Sequence, residues 1–436
     1  MTQALNVWMN GELVGQWTVN RASHSLYYAP SWLASPRRRS LSLSLPISST
    51  NEIKGEVVKH YFDNLLPDNE RIRSRLGKKF QTKSDTFGLL EAIGRDCVGA
   101  VQLLPVDATP GEWKTIRCDP LSDTQIAELL QAIPSDSTPS MDDDLFRISI
   151  AGAQEKTALT FWNGIWCKPN GATPTTHILK LPLGMIATGG VRVDASDSVH
   201  NEWLCAKILA ALGLPVANTS IARFDEEVSL VVERFDREWM DEASWIARLP
   251  QEDFCQALGV PAAKKYEQHG GPGIAQCLQL LQGSMDKSDQ LLFLLTQLAF
   301  FLLAAIDGHA KNFSLFLLRN DKYEMTPLYD VLSAWPYIGR KKHQLSWHKA
   351  GLAMALRSKN AHYHFKDISP RHWYELAMKH GGLDTWHAML ELAANVESAI
   401  KSVERELPQD FPEHTWTSIS TGTSIAATRF LSFQIS

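Results

Sequence analysis

Asp307 and Asn312 stand five positions apart in Ile306-Asp307-Gly308-His309-Ala310-Lys311-Asn312. This D-x-x-x-x-N spacing supplies two groups that phosphoryl transfer asks for: a carboxylate to accept the attacking hydroxyl's proton, and an amide oxygen to help hold Mg²⁺. The segment follows an apolar run and precedes Phe313-Ser314-Leu315-Phe316-Leu317, which reads as a strand. A second strand at 323–328 is expected to pair with it as a hairpin around Asn320-Asp321. Such a hairpin returns Pro327-Leu328-Tyr329-Asp330 to Asn312, making Asp330 the second metal-binding carboxylate. Val331-Leu332 stand where D-F-G would continue, which excludes the ordinary eukaryotic pattern but keeps the metal role. By spacing alone, the loop equally suits a turn capped by Asp307, with Asn312 opening the next strand.

Lys180 sits in the otherwise apolar segment His177-Ile178-Leu179-Lys180-Leu181. A lysine there suits pairing with a nucleotide's α- and β-phosphates, or an edge strand facing water. Glu202, in His200-Asn201-Glu202-Trp203, is the expected salt partner on the following helix. Ser149-Ile150-Ala151-Gly152-Ala153-Gln154-Glu155-Lys156 offers small residues that let backbone N–H groups approach a phosphate. It is neither G-x-G-x-x-G nor a Walker A sequence, and an ordinary hairpin turn reads the same way. Val231-Val232-Glu233-Arg234-Phe235-Asp236-Arg237 ends a further strand. There the Glu233 C=O and the Phe235 N–H can bond an adenine edge, with the Phe235 ring as apolar cover; a strand ending in a charged turn is the plainer account.

The elements that carry these residues are partly legible. Over 5–28 apolar and polar residues alternate, and Asn10-Gly11 is a type I′ turn signal, so a small β-rich start is expected. Residues 51–98 read as helical, with a break at Leu65-Leu66-Pro67-Asp68 and an end at Gly94. The turn formers Ile133-Pro134-Ser135-Asp136-Ser137-Thr138-Pro139-Ser140, then Asp142-Asp143-Asp144, mark the clearest boundary. Strands are expected at 146–150, 157–162, 177–181 and 228–235, with a helix at 198–212. Beyond 250, apolar periodicity predicts helices at 274–282, 288–306, 371–379 and 384–402. The expected fold class is α/β (α+β): a β-rich N-terminal lobe followed by a mainly helical C-terminal lobe. Three parts are expected: 1–140, a β-rich start and then helices; 141–250, the nucleotide-binding part; and 251–436, the helical part with the catalytic loop.

At 436 residues the chain exceeds the roughly 250–300 that one core can serve. Its 21% charged and 44% apolar residues match an ordinary globular protein. A net charge of −5 argues against a generally cationic surface. The basic clusters Arg37-Arg38-Arg39, the run Arg71, Arg73, Arg75, Lys78 and Lys79, and Arg340-Lys341-Lys342 read as solvated surface. Six cysteines without a C-x-x-C pair indicate neither a zinc site nor a disulfide framework, which fits a reducing cytoplasm. No secretory signal is expected, and the apolar run 291–306 is shorter than the ~20 residues of a membrane span.

Taken together, the motifs resemble the HipA family of bacterial toxin kinases along nearly the whole chain. The shared wording lies in Ser-Leu-Ser-Leu-Pro (42–46), Phe62-Asp63-Asn64-Leu65-Leu66-Pro67, Ile93-Gly94-Arg95-Asp96, Arg147 to Lys156, Thr173-Pro174-Thr175-Thr176-His177, Leu249-Pro250-Gln251-Glu252-Asp253, Gly270-Gly271-Pro272-Gly273 and Asp307 to Asn312. The resemblance implies a two-lobed protein-kinase-like fold, ATP and Mg²⁺ as cofactors, and a serine/threonine kinase acting as the toxin half of a toxin–antitoxin pair. It implies a HipB-like helix-turn-helix repressor as partner, a dimer bridging two copies of this chain, and operator DNA reached through that complex. It also implies phosphorylation of a serine of an aminoacyl-tRNA synthetase, typically the glutamyl enzyme, with translation arrested and persistence favoured, and self-phosphorylation at Ser149.

Carried over by the resemblance, Ala151, Gly152, Ala153, Gln154, Glu155 and Lys156 cover the phosphates, Lys180 contacts them, and Glu233, Arg234 and Phe235 meet adenine. Asp307 is the base; His309, Ala310, Lys311 and Asn312 line the loop; Tyr329 and Asp330 complete the nucleotide and metal site. The C-terminal quarter, with Lys379-His380-Gly381-Gly382, departs from the family wording, so direct DNA contact there is not carried over. Two other classes use the same residues: a kinase for a small molecule or lipid head group, and a catalytically silent scaffold for a repressor and DNA.

Overall fold

The structure, a computed structural model, describes residues 2–133, 148–149, 154–188 and 190–433. The expected strand at 146–150 lies outside them except for Ile148–Ser149. The chain forms two compact units, one of Met1–Leu181, Ala222–Lys265 and Ser314–Glu324, the other of Pro182–Ile221, Tyr266–Phe313 and Met325–Ser436. The fold is mixed α/β, sheet-rich in its N-terminal region and helix-rich in its C-terminal region, as expected.

The first unit opens on antiparallel strands Thr2–Met9, Glu12–Asn20 and Ser23–Tyr28, joined in one sheet by Glu52–Lys54 and Val101–Pro105. Asn10 and Gly11 both take positive φ, 43° and 80°, which is the type I′ turn their sequence asks for. The inward face of the sheet packs on helices Glu56–Asp63 and Thr86–Ile93, where Trp17 stacks on Phe62 at 4.1 Å. Helix Glu70–Lys79 is capped by the Asn69 side chain. Residues of the supposedly solvated clusters are held in place. Arg73 is buried on Asp63 at 2.7 Å, and Arg39 donates to the Leu317 carbonyl at 2.7 Å.

A second sheet of six strands runs in the order Thr219–Phe224, Glu227–Glu233, His177–Lys180, Lys156–Trp162, Ile165–Pro169 and Cys118–Pro120. Helix Asp123–Ala132, closed by a Ser122–Gln125 capping box, lays Ile126 and Leu130 against Leu159, Leu179 and Val231. His177–Lys180 is therefore a central strand, and Lys180 is 6% exposed. The water-facing edge position does not apply.

A five-member ionic cluster lies under this sheet's end. Arg234, Arg237 and Arg248, each with a side chain 2% exposed, surround Asp96 and Asp236. Asp96 accepts from Arg248 and Arg237 at 3.0 Å and from Thr175 at 2.7 Å; Asp236 takes a two-point grip from Arg234 and the Gly99 N–H. The surplus guanidinium protons go to the carbonyls of Cys97, Gly99, Ala172 and Thr175. Burial pushes the Asp96 carboxyl up, but Arg237, Arg248 and Arg234 outweigh it and hold the group well below the usual carboxylate range.

A third, three-stranded sheet contains Gln251–Asp253, Ser314–Leu317 and Tyr323–Met325. The last two are the expected hairpin strands, with Asn320 and Asp321 at positive φ between them. Two segments of shared wording meet here: the Leu43 N–H donates to Glu252 at 2.9 Å, and Ser44 donates to the Gln256 carbonyl at 2.7 Å.

The second unit holds helices Ser198–Ala211, Ile274–Leu281, Asp289–Leu302, Pro370–His380, Gly382–Ala394, Val396–Glu404 and Glu413–Leu431. The single helix expected over 384–402 is two, separated at Asn395, which ends the first and caps the second. Among the described residues no helix is long and apolar enough to cross a membrane.

Asp96→Asn leaves buried guanidinium charge without its counter-ion and is expected to cost about 3–5 kcal/mol, read as a lower urea midpoint at unchanged slope. A midpoint matching the parent's argues against the cluster as a structural keystone. Complete burial pushes Glu252 up to about 8, against the lowering effect of the Leu43 N–H and the Ser42 hydroxyl. Because this folded-state value lies above the unfolded one, the stability Glu252 contributes is whole below the ordinary glutamate range and is lost as pH rises through about 8. Glu252→Gln should flatten the fall in melting temperature toward alkaline pH; parallel curves for the two proteins would exclude this role.

Candidate active site

In the second unit the loop is aimed by the helix before it. Asp289–Leu302 stops in a Schellman motif: Ala304 takes positive φ (50°), the Ala305 N–H bonds the Phe300 carbonyl at 2.8 Å, and the Ala304 N–H bonds that of Phe301 at 3.2 Å. The Ala304 carbonyl in turn accepts the Ala334 N–H at 2.9 Å. Gly308 then lies flat on the Phe300 ring, where a Cβ would come within 2.4 Å.

Asp307 emerges with its side chain 52% exposed, while His309 and Asn312 are buried behind it. The Asn312 amide N–H donates to the Asp307 carbonyl at 2.8 Å, closing the loop across its five-residue span. The Asn312 Oδ1 is thereby left as the acceptor end. The Asp307 carboxylate takes a hydrogen bond from the Tyr266 hydroxyl on its Oδ1, and the His309 Nε2 stands 3.9 Å from the same oxygen. Tyr266 is absent from the sequence reading, because 41 residues separate it from Asp307 and only the fold joins them.

The Asp330 segment is fixed on both sides. Leu328 exchanges backbone hydrogen bonds with Pro215 (2.8 Å) and Ala217 (2.9 Å), and Tyr329 donates to the Lys311 carbonyl at 2.8 Å. After it, Ser333 exchanges bonds with the Asn201 side chain at 2.8 and 2.9 Å. Asp330 itself adopts φ 61°, a left-handed conformation that costs most residues about 1–2 kcal/mol and glycine, asparagine and aspartate less. Among the described residues no three His, Cys, Asp or Glu side chains gather for a metal. Mg²⁺ in phosphoryl-transfer sites asks for less, one or two protein oxygens plus the phosphates, and the Asn312 amide oxygen and the Asp330 carboxylate are of that kind.

Of the remaining residues singled out by sequence, Glu202 is buried on helix Ser198–Ala211 of the second unit, and the other described ones lie in the first unit. Lys180 pairs across the sheet with Lys156, so the two side chains leave the same face of the sheet. Glu155 is bound to Arg75 at 2.5 Å, and the Gln154 side chain donates to the Leu181 carbonyl at 2.6 Å. Ala151, Gly152 and Ala153 lie outside the described residues. Ser149 belongs to a two-residue parallel ladder, Cys97 opposite it and Asp96 opposite Ile148. Glu233 pairs with His177 at the end of its strand, and the Phe235 ring meets Phe316 edge-on at 5.8 Å. Between them the Arg234 guanidinium turns into the ionic cluster, and its backbone N–H donates to the Thr176 carbonyl at 2.9 Å.

The description "HipA N-terminal domain" matches residues 5–104, and "HipA-like C-terminal domain" matches 148–410. Y4mE of Sinorhizobium fredii, a protein with a kinase name, is 35% identical over 77% of this chain and 78% of its own. The serine/threonine-protein kinase toxin HipA of Shewanella oneidensis is 29% identical over 76% of this chain and 74% of its own. The fold matches that of HipA solved with HipB and operator DNA from Shewanella oneidensis, with a TM-score of 0.79, 24% identity and 98% of each chain covered. On these matches, from the opening sheet through the Asp307–Asn312 loop, the chain belongs to the HipA family.

Proposed function

We propose that this protein is an ATP-dependent serine/threonine-protein kinase that acts as a toxin. The observation that carries the reading is the closed loop in which Asn312 bonds the Asp307 backbone and leaves a half-exposed carboxylate beside an amide oxygen. Asp307 accepts the proton of a protein serine hydroxyl as that oxygen attacks the γ-phosphoryl group. Asn312 and Asp330 hold Mg²⁺, which when bound neutralises charge on the phosphate oxygens. Lys180 and Lys156 attract nucleotide phosphates, and the backbone of Glu233 and Phe235 meets the adenine edge. His309, Ala310, Lys311 and Tyr329 frame the loop, and residues 151–156 cover the nucleotide.

Ser149 is the proposed site of self-phosphorylation. A phosphate there carries about −1.5 to −2 charges and would repel those of ATP, which makes the modification a brake. The proposed protein substrate is an aminoacyl-tRNA synthetase, the glutamyl enzyme first, in the cytoplasm, with arrested translation and persistence as the outcome. The HipB and operator-DNA assembly of the Shewanella oneidensis relative supports a HipB-like dimer as this chain's antitoxin and repressor partner. The family division 5–104 and 148–410 supports a separate accessory part over 1–140; within the rest, nucleotide binding is assigned to 141–250 and catalysis to 251–436 as part of the same proposal.

Asp307→Ala is expected to retain ATP binding by calorimetry while labelled phosphate transfer to itself and to glutamyl-tRNA synthetase falls at least ~10²-fold. Undiminished labelling in this variant would remove Asp307 from the mechanism. Labelling of neither protein by the wild-type chain would remove the kinase reading itself.

A further inference from the structure

We propose that Tyr266 is a positioning residue for the catalytic carboxylate, holding one oxygen of Asp307 so that the other is presented to the phosphoacceptor hydroxyl. The inference rests on reading Asp307 as the base. Its starting point is an asymmetry: both groups near the carboxylate, the Tyr266 hydroxyl and the His309 Nε2, converge on Oδ1. A carboxylate half in water and held by neither would rotate about its Cβ–Cγ bond, and each turn would exchange the oxygen facing the substrate. A phenol O–H donating to one oxygen is a charge-assisted bond, stronger than a neutral one, and removes that freedom. Oδ2 remains as the acceptor for the incoming proton.

The hydroxyl can do this because the turn carrying it is itself fixed. Tyr266 opens the short turn Glu267–His269, and its carbonyl accepts the N–H groups of both His269 and Gly271 at 3.0 Å. The next residue, Glu267, has its side chain 6% exposed; it accepts the Ala355 N–H at 2.6 Å and is gripped by Arg357. That anchor ties the turn to strand Gly351–Arg357. On the other side the Tyr266 ring stands edge-on to the His309 imidazole, 4.8 Å between centroids and 87° between planes. Ring and hydroxyl thus have separate contacts: the ring meets the loop's histidine, and the hydroxyl meets its aspartate.

Separate contacts make the role separable by mutation. Tyr266→Phe keeps the ring and deletes only the O–H. The expected result is a kcat for labelled phosphate transfer lowered about 10- to 100-fold, the scale of one charge-assisted hydrogen bond. The KM for ATP, the calorimetric ATP affinity and the melting temperature should stay at wild-type values. Wild-type kcat in Tyr266→Phe overturns the inference, as does a loss of ATP affinity or of melting temperature that accounts for the fall in rate. An inactive wild-type chain instead overturns the kinase reading on which the inference stands.

Discussion

Three guanidinium groups and two carboxylates buried together constrain everything around them. Charges of this kind survive away from water only when each is matched in distance and direction, and loss of one member leaves its neighbours costly. Here the matching draws on five separate stretches of the first unit: Asp96 to Gly99, Ala172, Thr175, Arg234 to Arg237, and Arg248. The strand bearing Lys180 begins two residues after Thr175, and the strand bearing Glu233 ends one residue before Arg234. The cluster therefore sets where both strands stand, and the short ladder from Asp96–Cys97 to Ile148–Ser149 hangs from the same point.

The second unit meets its constraint by other means. Its loop has few charges to match and is shaped by sterics and backbone bonds: a helix stopped at Ala304, a glycine pressed on Phe300, an amide folded back onto Asp307. Polar groups at the mouth of an apolar helix are expensive when unsatisfied; here Asn312 meets the Asp307 carbonyl from within the loop, and Tyr266, Tyr329 and Ala334 meet others from outside it. A half-exposed carboxylate is then the one reactive group the loop turns outward, held by a tyrosine from a different turn.

Much of this was legible from local pattern. Asn10-Gly11 dictates its turn, the apolar neighbours of Lys180 mark a strand, and the segments after Asn312 read as the hairpin around Asn320-Asp321 that forms. What escaped the sequence depends on distant partners or on weak periodicity. Arg73 and Arg39 look like surface until Asp63 and the Leu317 carbonyl are beside them. Nothing near Arg234 in sequence points to Asp96, 138 residues away, as a partner of its side chain. The break at Asn395 is hidden because apolar spacing continues on both sides of it. Helix Glu413–Leu431 buries Ile419 and Phe430 but otherwise threonine, alanine and glycine, with Gly422 against the Trp335 ring, so its apolar stripe is weak.

The left-handed backbone at Asp330 also limits what the position can become. Asparagine and glycine accept such a φ with little penalty, whereas alanine or a branched residue would bring conformational strain along with the loss of charge. Charge and backbone geometry at this position can therefore be dissected independently. An amide there would erase the negative oxygen while the chain path beneath it stayed as it was, and neutral drift at this locus would be confined to a very short alphabet.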